Sequence, residues 1–128
     1  MSVPDSIIPE ATARYDPAVG IVHSCIKGLL TVELVEAYKQ SLRQAVTSAR
    51  RQSPQVLMLH DSSEGAVQSR ETVDRLRAIG EMLRQPNDRV GLVVGSMLLK
   101  MQADRTIREL PNERTFRSIE EAKDWLIA

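Results

Sequence analysis

Residues 56–59 (VLML) are an unbroken apolar run of four, closed on each side by polar residues. The run is too short for a helix of its own. Apolar at every position, it suits a strand, over 55–60, buried on both faces. Ser53-Pro54 ends whatever precedes it, because the residue before proline avoids the helical region. His60, Asp61, Ser62 and Ser63 follow, and a small-residue loop then leads to Ser69. Ser69 is a good helix N-cap before an amphipathic pattern that continues to about residue 84. Val73, Leu76, Ile79, Gly80 and Leu83 form its inward face. In an open α/β sheet, a ligand or partner site lies just beyond the carboxyl end of such a strand. The stretch 55–76 is therefore the first place to look for function.

The same unit recurs downstream. Residues 89–95 (RVGLVVG) read as a second buried strand, in which Gly91 and Gly95 allow close packing. Ser96 caps a helix ending near Leu110, closed by Pro111 and Asn112. Residues 114–117 make a short last strand. Ser118 and Glu121 form a capping box for a final helix over 119–127, with Ala122, Trp125 and Leu126 turned inward. Upstream, residues 11–15 and 21–27 flank the turn Asp16-Pro17-Ala18-Val19-Gly20, a hairpin pattern. Gly28 breaks the second strand, and Thr31 caps a helix reaching about Arg51. Its apolar stripe is Leu34, Val35, Tyr38, Leu42, Val46 and Ala49. The order is β-β-α-β-α-β-α-β-α. Strands separated by helices are parallel with right-handed crossovers, so the fold class is α/β, a mixed and mostly parallel sheet covered by helices.

At 128 residues the chain is expected to be one domain over 11–128, after a leader over 1–10 that holds Pro4 and Pro9. Formal net charge is +0 and aromatics are 3%, which argues against nucleic-acid partners. A single cysteine, Cys25, suits a reducing cytoplasm. Nothing near Met1 reads as a signal peptide, and no apolar stretch nears the roughly 18 residues of a transmembrane segment. The expectation is a cytoplasmic protein.

Three stretches carry a family likeness: the hairpin through Gly28 and Thr31 with its long helix, LMLHDSS with the helix from Ser69, and the finish TFRSIEEAKDWL. Together they resemble the SpoIIAA-like family, the STAS-type fold of anti-sigma-factor antagonists. The likeness is closer to an uncharacterised bacterial branch that shares this fold with lipid-binding CRAL-TRIO domains. The resemblance implies a regulatory, non-enzymatic module whose helix-start serine is phosphorylated by a partner kinase. The strand-end aspartate of that pattern is Asp61, and the helix-start serine is Ser69. The sequence departs from the pattern at Gln68, where an acidic residue is expected, and at Arg70 and Glu71, where Ser and Gly would follow.

Each candidate site has a structural role beside the functional one. Ser69 either caps its helix or, phosphorylated, places about two negative charges at the positive end of a helix dipole. Asp61, Ser62 and Ser63 belong to the same recognition loop, and Asp61 and Ser62 are expected to bond its backbone at the strand end. His60 and Asp61 are triad residue types, but strand neighbours diverge, and no G-x-S-x-G elbow is present. No catalytic residue is assigned. His23, Cys25 and His60 have no metal-ligand spacing, so no metal is expected. The absence of a glycine-rich phosphate loop gives no cofactor. In the third helix, Leu99, Ala103, Ile107 and Leu110 form the core stripe, and Met97 and Met101 project nearly opposite it with Leu98 beside them. Either the leader, with Ile7 and Ile8, covers this turn, or it is an apolar patch for a partner or a lipid chain. Two functions follow: a module binding a protein partner, a second copy included, or a small carrier or sensor of an apolar, lipid-like ligand.

Overall fold

The computed structural model describes residues 8–107 and 112–128. Ile7, Leu110 and Pro111 lie outside them, as does the side chain of Ile107. Two strands, β1 (Glu10–Asp16) and β2 (Ile21–Gly28), form the expected hairpin, paired Tyr15 to Val22 and Thr12 to Cys25. Gly20 closes the turn at φ 73°, and Gly28 ends β2 at φ 65°, both in the left-handed region that glycine enters freely. β1 begins at Glu10, the last residue assigned to the leader.

α1 (Val32–Gln52) starts at Thr31, whose side chain accepts from Leu34 N–H. It is followed by β3 (Leu57–Gly65), α2 (Arg70–Leu83), β4 (Arg89–Val94), α3 (Met97–Ile107), β5 (Glu113–Phe116) and α4 (Ile119–Ile127). The five strands lie in the order β1-β2-β3-β4-β5, parallel from β2 onward. With strands added one after another and crossovers of one hand, α1, α2 and α3 fall on one face of the sheet and α4 on the other.

The two faces have separate cores. Val22, Val35, Tyr38, Leu42, Val56, Met58, Ile79 and Val90 fill the α1 side. Ile21, Leu59, Val93, Phe116, Ala122 and Leu126 fill the α4 side. The finish of the chain explains itself there. Ser118 accepts from Glu121 N–H at 3.2 Å, and the Phe116 and Trp125 rings lie 5.7 Å apart. Gly91 faces α4, where a Cβ would meet the Ala122 methyl at 3.4 Å, an ordinary van der Waals contact.

One long-range tie fixes the opposite end. Arg50 grips the buried Asp88 carboxylate with two N–H groups, at 2.7 and 3.0 Å. It also donates to the carbonyls of Pro54 and Leu83. Asp88 accepts further from Val56 N–H and Gln85 N–H, each at 2.9 Å. Burial works against its charge, but these donors outweigh it and hold the carboxyl below its ordinary range.

The main departure from expectation is β3. The expected strand over 55–60 stops at His60; the observed one runs on through Asp61, Ser62, Ser63 and Glu64 to Gly65. The polar tail stays extended because it has partners on both sides: Cys25 opposite Asp61 and Lys27 opposite Glu64 on β2, and Ser62 opposite Val94 on β4. Between Asp61 and Glu64 the pairing slips by one residue, a bulge on the β3 side.

Candidate functional site at the carboxyl end of the sheet

The turns after β2, β3 and β4 meet at one end of the molecule. At the bulge, the Asp61 carboxylate accepts from the backbone N–H of Ser63 at 3.0 Å and from its hydroxyl at 2.6 Å. Gly95, just past β4, lies against this tail. A Cβ there would sit 2.3 Å from the Ser63 carbonyl oxygen, a clash with backbone that only glycine avoids. The Asp61–Ser63 segment is therefore a strand end held in place, not the loop its composition suggests.

The loop proper is residues 66–69, and Gln68 holds it. Its amide nitrogen donates to the carbonyls of Gly28 at 2.8 Å and Ala66 at 3.1 Å. Its amide oxygen accepts from Leu30 N–H at 2.9 Å. One side chain thus ties the β2–α1 turn to the β3–α2 loop. A carboxylate has no donor for the two carbonyls. The departure from an acidic residue at this position therefore has a structural cause.

Ser69 is the N-cap of α2. Its Oγ accepts from Thr72 N–H at 3.1 Å and donates to Thr72 Oγ1 at 3.0 Å. The residue as a whole is exposed. At the same end stand apolar side chains in water. Leu29 and Val32 follow β2, Val67 follows β3, and the first turn of α3 follows β4. Met97, Leu98 and Met101 are 57%, 65% and 53% exposed, while Leu99 and Ala103 turn inward.

The strand alternation separates the remaining candidates. His60 faces α1 and α2; Asp61 faces the other side with His23 and Cys25. The set His23, Cys25 and His60 is thus divided between two faces, and no group of three metal-ligating side chains assembles among the described residues. Cys25 is half-buried, and burial, with Asp61 nearby, raises its thiol pKa. His23 is shifted downward by burial and by Arg14 and Lys123.

A buried polar chain on the α1 side was missing from the sequence reading. Ser24 Oγ and Tyr38 Oη are 2.6 Å apart, and Tyr38 Oη lies 3.5 Å from His60 Nδ1. Burial raises the tyrosine to about 12. Burial, and then Arg84, lowers His60 to about 4, so the imidazole is neutral at pH 7. Tyr38 belongs to the expected α1 stripe; only the three-dimensional register brings Ser24 and His60 to its hydroxyl.

No helix among the described residues is long and apolar enough to cross a membrane. No protein-family model matches the chain, and no curated protein matches it significantly. Solved structures that share its fold include the following two. An uncharacterized protein of the DUF3478 family with a SpoIIAA-like fold, from Shewanella loihica, matches over 98% of both chains at 19% identity, with a TM-score of 0.77. An anti-sigma factor antagonist from Mycobacterium paratuberculosis matches over 100% of both chains at 17% identity, with a TM-score of 0.58. The chain has a SpoIIAA-like fold, in agreement with the family resemblance read from its three stretches.

Proposed function

We propose that this protein is a cytoplasmic regulatory module that acts by binding a protein partner, not by catalysis. The carboxyl end of its sheet is the binding surface. The observation that carries this reading is the arrangement of side chains at that end. Leu29, Val32, Val67, Met97, Leu98 and Met101 stand exposed in the segments that follow β2, β3 and β4, at the same end as the exposed Ser63 and Ser69. Exposed apolar side chains gathered at one end of a domain, with polar groups beside them, mark a protein-interaction surface. Methionines suit it because their flexible side chains adapt to a partner surface. The structural neighbour named as an anti-sigma factor antagonist supports a protein as the partner. Ser69 is the point where a phosphate would be placed on this surface, at the start of α2 and beside Arg70.

The test compares proteins captured from cells of the source organism by the wild-type chain, by Leu98→Glu/Met101→Glu and by a control altered at Arg43 on α1. A partner retained by wild type and control but lost by the double variant, at unchanged thermal stability, is the expected result. Equal capture by all three chains would sink the assignment of this surface. The carrier reading draws on a different place, a cavity under α2.

A further inference from the structure

α2 stands away from the sheet it is meant to cover. Among the described residues, no Cα of α2 comes within 8 Å of a strand Cα, although α1 and α4 both approach that closely. Of its expected inward face, only Ile79 is buried; Leu76 and Leu83 are half-buried, and Val73 and Gly80 are exposed. The gap beneath is a half-open cavity of about 240 Å³. Leu42, Met58, Leu76, Leu83 and Leu92 supply its apolar wall.

Gly80 makes this more than loose packing. It sits inside α2 and lines the cavity, yet a Cβ built on it meets nothing within 4 Å. Glycine weakens a helix interior, and here neither a positive φ nor a close neighbour requires it. Gly80 is exposed at the open side of the cavity, and a larger side chain there would stand in open space at its mouth.

The polar groups of the cavity are few and specific. His60 turns Nδ1 toward the Tyr38 hydroxyl, and its Nε2 has no hydrogen-bond partner among the described residues. The imidazole is half-buried and lines the open cavity. Depending on the tautomer, Nε2 donates or accepts, and a hydroxyl group answers both. Arg84 and Glu113 line the cavity too, but they are bonded to each other, so their charges cancel. Volume sets the size. A cavity of about 150 Å³ takes benzene, while drug-sized ligands occupy roughly 300 Å³ and more.

We propose that the cavity between α2 and the sheet is a binding site for a small uncharged molecule of about one ring's size, carrying a hydroxyl group that pairs with His60 Nε2. This narrows the carrier reading: the site takes a compact amphiphile, not a whole lipid. A neighbouring groove shares Ile26, Ser62 and Leu76 with the cavity and leads to the loop held by Gln68. A longer chain would have to reach into it.

The test titrates full-length protein with 4-ethylphenol, ethylbenzene, 4-ethylbenzoate and 1-decanol, following backbone amide shifts by NMR. Saturable binding of 4-ethylphenol at sub-millimolar concentration is expected, with shifts at Leu76, Gly80 and Leu92. Ethylbenzene and 4-ethylbenzoate should bind at least tenfold more weakly. Gly80→Leu places a side chain at the mouth and should weaken 4-ethylphenol binding at least tenfold without lowering the melting temperature. Gly80→Ala, the milder change, should weaken it less. No saturable binding to wild type, or equal binding to both glycine variants, overturns the site. Tighter binding of 1-decanol with shifts at Ala66 and Gln68 overturns the one-ring size. Equal affinity for ethylbenzene overturns the role of His60.

Discussion

Replacing Gln68 by glutamate changes one amide to a carboxylate of the same shape, and the structure makes it costly. The amide nitrogen donates to two carbonyls, at 2.8 and 3.1 Å, while the oxygen accepts one N–H at 2.9 Å. Ionised glutamate keeps the acceptor and loses both donors, a loss of about 1 kcal/mol for each bond. Its second oxygen would also face two carbonyl oxygens at contact distance. The side chain must then swing out, releasing Leu30 N–H as well. Because the site is only half-buried, water recovers part of this, and the net cost is about 2–3 kcal/mol at neutral pH. Urea unfolding of Gln68→Glu should lose about 1–2 M in midpoint at pH 8, with a slope of roughly 2 kcal/mol per molar. The pH dependence gives the mechanism a second signature. Protonated glutamate regains a donor for one carbonyl, so the folded state raises the carboxyl pKa above its unfolded value of about 4.3. The deficit is then smallest below that unfolded value and fully present above the raised one. Gln68→Glu within 0.5 kcal/mol of wild type at pH 8, or a deficit equal at pH 8 and pH 4.5, would refute the clamp.

Two further substitutions test the parts that hold this end and its opposite. Asp88→Ala leaves Arg50 without its carboxylate and strands two N–H groups, and should cost about 3–5 kcal/mol by urea unfolding at pH 7. Since the folded state lowers the Asp88 pKa, its contribution is complete above the ordinary value of about 3.9 and fades as pH falls through the folded one. The gap between variant and wild type should therefore be level above pH 5 and shrink near pH 3; a gap below 1 kcal/mol at pH 7 counts against the tie. Ser69→Ala removes the cap on α2 and should cost about 1 kcal/mol, with faster amide exchange at Thr72. Unchanged exchange there would deny Ser69 its structural role.

The order of elements was legible because the signals that set it are local. Apolar runs, prolines, glycines at positive φ and capping serines act within a few residues, and among the described residues the elements follow one another in the order those signals set. What escaped depends on partners distant in the chain. Asp61–Gly65 has turn composition; it is a strand because β2 and β4 pair with it from both sides. Asp88 has the composition of a turn and Arg50 that of a solvated face, yet they bond across a separation of 38 residues. Gln68 is an ordinary loop residue until the β2–α1 turn arrives beside it. The periodicity of α2 shows which face turns inward but contains nothing about how far the helix stands from the sheet.

That distance links the two places where function has been sought. α2 begins at Ser69, on the surface assigned to a partner, and its Leu76, Gly80 and Leu83 form one wall of the cavity. Standing off the strands, the helix is positioned by α1, by the Ser69 cap, by the Gln68 clamp just ahead of it and by the Arg50 bond to Leu83 O at its end. An element fixed at its ends and along one side, with space beneath, moves at less cost than one packed into a filled core. A molecule entering the cavity and a charge placed on Ser69 would thus act on the same helix. By linkage, whatever affinity for a partner the first event gains or loses is matched by the effect of that partner on the first.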